Sequence, residues 1–105
     1  MIKVTLFYNQ NRDIYRFKVI NHGEAIVCAG VSALVITCAN FIQSNFALNV
    51  VQKHRDSGYV DFEVNEIKNG RRDHAANLII ENMVFGLRLI EDAYGNDITI
   101  SEKHD

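Results

Sequence analysis

The stretch "FKVINHGEAIVCAGVSAL", Phe17 to Leu34, changes period part-way along. Up to Ile20 apolar and polar residues alternate, which places Tyr15, Phe17 and Val19 on one face of a strand. From Ile26 the apolar positions recur at steps of three and four: Val27, Val31, Leu34, Val35, Cys38, Phe41 and Ile42. That spacing predicts a helix running to about Leu48. The polar, glycine-containing "NHGE" between them is too short for anything but a tight connection.

Upstream, "IKVTLFYN" alternates with Ile2, Val4, Leu6 and Tyr8 on one face, and "NQNRD" is a turn. Together with Tyr15–Val19 this is a hairpin. Downstream, "VVQKH" reads as a short strand and "RDSG" as a turn. "YVDFEVNEI" reads as a strand with Val60, Phe62 and Val64 inward and Asp61 and Glu63 outward. After the polar "KNGRRD", Asp73 caps a second helix with the stripe Ala75, Ile79, Met83, Gly86, Leu87, Ile90 and Tyr94. Gly95 is its expected C′ glycine, and "DITIS" is a last strand. The order β-β-α-β-β-α-β, without a proline, predicts an α+β fold: two helices packed on one face of a mainly antiparallel sheet, residues 1–105 forming one domain.

A chain of 105 residues with 48% hydrophobic and 23% charged residues is of ordinary globular composition. Its net charge of −2 argues against a broad basic surface, so no direct nucleic-acid binding is expected. No apolar run is expected to approach the ~20 residues of a membrane helix, so no membrane partner is either. Cys28 and Cys38 read as reduced thiols of a cytoplasmic protein, because on one helix they stand ~15 Å apart, beyond disulfide reach. Scattered histidines and the absence of a C-x-x-C pair give no metal site, and no cofactor is expected.

Cys28 falls in the first turn of the predicted helix, where unpaired N–H groups and the positive end of the macrodipole favour a thiolate. Ser32, four residues on, shares its face, and His22 ends the preceding strand, where it can take the thiol proton. The bland alternative is a buried, inert cysteine beside a loop histidine. Cys38, mid-stripe, reads that way. His54, His74 and His104 read as exposed polar residues, and Arg71 and Arg72 as a solvated loop.

The segment "GEAIVCAGVSAL" resembles the signature of the ribosomal-processing cysteine proteases (Prp). The likeness spans the chain, from "MIKVTLF" through "VCAGVSAL" to "LIEDAYGNDITI". It implies an α+β, homodimeric endopeptidase that removes a short N-terminal extension from a large-subunit ribosomal protein. It also implies Cys28 as nucleophile, His22 as base and Ser32 as a supporting residue. Backbone N–H groups at Ala29 and Gly30 are then expected to hold the oxyanion.

The chain departs from the family pattern twice. The family places a mobile loop between its base and "GEDIVCA", whereas "VINH" runs directly into "GEAIVCA", and Ala25 stands where the family has aspartate. His22 is therefore either the family's base with the loop removed after it, or a histidine preceding the glycine–glutamate pair with the base absent. The second case implies a catalytically impaired, dimeric domain that binds the peptide or ribosomal protein without cutting it. A third alternative is a small-molecule-binding domain with a buried thiol.

Overall fold

The computed structural model describes residues 1–55 and 58–105. Strands β1 (Ile2–Tyr8) and β2 (Ile14–Ile20) form the opening hairpin, and helix α1 (Ala25–Asn45) follows after four residues. Strands β3 (Val50–Arg55) and β4 (Tyr59–Val64) form a second hairpin. The turn expected between them includes Asp56 and Ser57, which lie outside the described residues. A short helix α2 (Asn65–Lys68), the long helix α3 (His74–Ala93) and strand β5 (Ile98–His104) complete the chain.

The sheet order is β3-β4-β2-β1-β5, antiparallel except where β5 lies parallel to β1. Register sets which side chains face the helices: Val4 opposes Val19, Leu6 opposes Phe17, Phe17 opposes Phe62 and Val19 opposes Val60. Phe17 and Phe62 stack with centroids 5.2 Å apart at the centre of this layer. Over them lie Val27, Val31, Val35, Cys38, Ala39 and Ile42 of α1. Ala76, Ile80, Met83, Val84 and Leu87 of α3 complete the layer. The two helices meet closely at Gly86, where a Cβ would stand 2.8 Å from Leu34 Cδ1.

Several expectations need correction. The buried face of α3 is centred on Ala76, Ile80 and Leu87, while Ala75 and Tyr94 are exposed. The expected β4 extension "NEI" is instead α2, held because Ile67 is buried and its carbonyl accepts from Asn9 Nδ2 at 2.7 Å. Gly95 follows the C-cap Tyr94, but its φ is not in the left-handed region, where only Gly58 and Gly70 lie among the described glycines. Asp61 faces outward yet is buried, because Arg16 closes over it at 2.8 and 2.7 Å. Finally, α1 is 21 residues long without one charged side chain, and its most apolar window has a mean hydropathy of 2.2. By length and composition it could cross a membrane, contrary to expectation; here its inner face is covered by the sheet.

Candidate active site

The β2–α1 connection depends on two left-handed residues, one its own and one just before β4. Asn21 has φ 73°, a conformation asparagine tolerates better than most side chains, and donates its N–H to the Gly58 carbonyl at 2.9 Å. Gly58 itself has φ 72°, and a Cβ on it would lie 2.5 Å from His22 Nε2. The His22 ring therefore rests on bare backbone that any other residue at 58 would obstruct.

Helix α1 begins without a side-chain cap: Glu24 is its N-cap and makes no side-chain bond to the first turn. The first helical bond runs from the Cys28 N–H to the Glu24 carbonyl at 2.9 Å. Backbone N–H groups before Cys28 thus have no helical acceptor, and the positive end of the helix is open beside the thiol. Gly23 N–H donates to Cys28 Sγ at 3.2 Å, and the thiol can donate to the Gly23 carbonyl at 3.4 Å. Cys28 is half-buried.

Cys28, His22 and Ser32 all line one cavity of about 280 Å³. Its floor is apolar, from Ile2, Val19, Val31 and Val60. Its rim adds His54 and Tyr59, which the sequence reading did not single out for the site. Register explains His54: it opposes Val60, which opposes Val19, so all three share the helix-facing side of the sheet. Periodicity in "VVQKHR" was too weak to foretell this.

Ala29 and Gly30 are not among the cavity's lining residues. Both lie inside α1 beyond its first hydrogen bond, so the expected oxyanion donors belong to the helical ladder. Gly30 instead faces α3, where a Cβ would meet Ile90 Cδ1 at 3.3 Å. Ala25, in the aspartate's place, is the exposed first residue of the helix. Cys38 is buried, its thiol 3.9 Å from the Ile79 carbonyl, and burial pushes its pKa up to about 12. Among the described residues, no three His, Cys, Asp or Glu side chains converge to hold a metal ion.

This arrangement suits acyl transfer: a thiol at an open helix start, an imidazole across the same cleft and apolar walls for a peptide. The family model described as cysteine protease Prp matches residues 1–99. The ribosomal processing cysteine protease Prp of Bacillus subtilis (strain 168) is 28% identical over 109 aligned residues, covering 96% of this chain and 96% of that protein. The ribosomal processing protease Prp from S. aureus, solved with a covalently linked product peptide, has a TM-score of 0.86 at 26% identity. That match covers 98% of this chain and 100% of the other. The same S. aureus protein with a substrate peptide has a TM-score of 0.84 at 25% identity, again over 98% of this chain and 100% of the other. The thiol cleft therefore sits in a fold shared from the first strand to the last, and the chain belongs to the cysteine protease Prp family.

Proposed function

We propose that this protein is a cytoplasmic endopeptidase that removes the N-terminal extension of a large-subunit ribosomal protein through a Cys28–His22 dyad. The observation that carries the reading is the shared cleft: the thiol in the uncapped first turn of α1 and the imidazole seated on Gly58 open into one apolar-floored cavity. The S. aureus relative's covalently linked product peptide supports a covalent route.

The extended peptide lies along the cleft. His22 takes the Cys28 proton as Sγ bonds to the scissile carbonyl carbon, leaving negative charge on the carbonyl oxygen. The unpaired N–H groups of the first turn of α1 stabilise that charge in place of Ala29 and Gly30. Collapse breaks the C–N bond, and His22 passes its proton to the departing amine. Water, deprotonated by His22, then adds to the thioester carbonyl; the C–S bond breaks and the proton returns to Sγ. Ser32 contacts the bound peptide at the cavity wall.

A second reading rests on a specific observation. The thiol's hydrogen bonds go to Gly23 rather than His22, and Ala25 cannot orient an imidazole as a carboxylate would. A non-cutting, peptide-binding domain fits that geometry. Incubation with a peptide spanning a ribosomal-protein extension and its cleavage point separates the two. Cleavage by the wild type, abolished in Cys28→Ala and reduced about 10²- to 10⁴-fold in His22→Ala, supports the protease. Binding with no product from the wild type removes it. Ile26, Phe41, Leu78, Phe85 and Leu89 are exposed on the helical layer and supply the apolar surface for a homodimer. Light scattering showing only monomer at high concentration would refute the dimer.

A further inference from the structure

The face of the sheet turned away from the helices carries a segregated charge. Lys3, Arg16, Lys18, Lys53, Arg55 and Lys103 all occupy positions whose register partners face outward. These are six of the chain's 11 Lys and Arg residues, whereas the acids that share the face among the described residues are Asp61, Glu63 and, beside Tyr15 at its edge, Asp105. All three carboxylates are engaged: Asp61 with Arg16 at 2.7 Å, Glu63 with Lys68 at 3.8 Å, and Asp105 as acceptor from the Tyr15 hydroxyl at 3.2 Å. The net charge of −2 conceals this, because most acids among the described residues lie elsewhere.

Two aromatic rings punctuate the face, each overlain by cations. Arg55 stands 5.0 Å and Lys18 5.7 Å from the Tyr59 centroid. Arg16 stands 4.4 Å and Lys103 5.8 Å from the Phe7 centroid. Strand and residue spacing put the two rings roughly 16 Å apart across the sheet. A strand surface with paired guanidinium groups and aromatic rings, ringed by lysines, has the features that stack bases and track a phosphate backbone. A five-stranded sheet is too broad to enter a duplex groove as a helix does. A lipid surface would want large exposed apolar side chains beside the cations, yet among the described residues most of these are on the helices; on this face Val51 is exposed while Phe7 and Ile20 are half-buried. Thr5 and Thr99, on the same face, offer hydroxyls to ribose 2′-OH groups.

We infer that the helix-free face of the sheet binds single-stranded RNA, independently of the thiol cleft. This surface does not depend on the cleavage reading and stands if that reading falls. The test is fluorescence anisotropy of a labelled ten-nucleotide RNA against the intact protein over a range of salt. DNA of the same sequence and anionic phosphatidylglycerol vesicles serve as parallel arms. Expected is binding to RNA in preference to DNA, with log K falling against log salt at a slope of about −2, as for three neutralised phosphates. Lys3→Gln/Lys18→Gln/Lys53→Gln weakens binding at least ~10-fold and brings the slope towards zero, while Arg71→Gln/Arg72→Gln leaves both unchanged. Unchanged thermal melting shows that the triple variant is folded, and Lys53→Gln alone gives a proportionate loss if it is not. No RNA binding, equal or tighter DNA binding, vesicle binding without RNA, or full affinity in folded Lys-to-Gln variants would overturn the inference.

Discussion

Cys28 and Cys38 sit ten positions apart on one helix, and their surroundings are opposite. Cys28 is half-buried in the first turn, bonded to the Gly23 backbone and open to a cavity. Cys38 is buried mid-helix with its thiol pushed up to about 12 by desolvation. The difference shows that a helix supplies two environments for one side chain. Its end offers unpaired N–H groups, whereas in its middle every N–H is used by the helix and packing against α3, where the thiol meets the Ile79 carbonyl, keeps Cys38 buried.

The strongest way to break this comparison is mutation. Cys28→Ala should lower peptide cleavage about 10⁴-fold or more, while Cys38→Ala should hold it within a few-fold; equal losses would erase the distinction. Next comes alkylation. Iodoacetamide should modify one thiol in the native protein and the second only after denaturation, as read by mass spectrometry. Because folding raises Cys38 from 9.0 to about 12, its share of stability is complete below the unfolded value and is lost as pH rises from 9.0 towards 12. Alkaline unfolding followed by circular dichroism should therefore be less pH-dependent in Cys38→Ala.

A smaller effect is expected at Gly58, which supports His22 from below. Gly58→Ala must take a strained φ and displace the ring, so stability should fall by about 1–3 kcal/mol and cleavage with it. Smallest is a contrast of helix starts. Asp73 caps α3, accepting from the Ala76 N–H at 3.1 Å, whereas Glu24 leaves α1 open. Asp73→Ala should cost about 1 kcal/mol in denaturant melts, and Glu24→Ser should stabilise by a few tenths to 1 kcal/mol while slowing cleavage. A Glu24→Ser variant with faster cleavage would contradict the role given to the open first turn.

Much of the architecture was legible because burial imposes period on sequence. Both hairpins, the two long helices, the Asp73 cap and the place of Cys28 follow from alternation, three- and four-residue steps and capping chemistry. Less visible were features made by contacts distant in sequence. The α2 turn depends on Ile67 being buried and on Asn9 reaching its carbonyl from the first hairpin. The pairing of β5 with β1 leaves no trace in "DITIS" itself. The long apolar span of α1 is masked in the sequence because serines, threonines and asparagines interrupt it without adding charge. At the site, His54, Tyr59 and Gly58 come from the second hairpin, and no local pattern ties them to Cys28.

Taken alone, the order of residues determined the alternation of strands and helices and set one thiol at a helix start beside a histidine. Periodicity and capping are local, and they survive in a one-dimensional text. Tertiary structure decided which N–H groups remain free around that thiol, which histidines share its cleft and where the cations gather. Those depend on strand register and chain crossing, which bring together residues that local periodicity treats as unrelated.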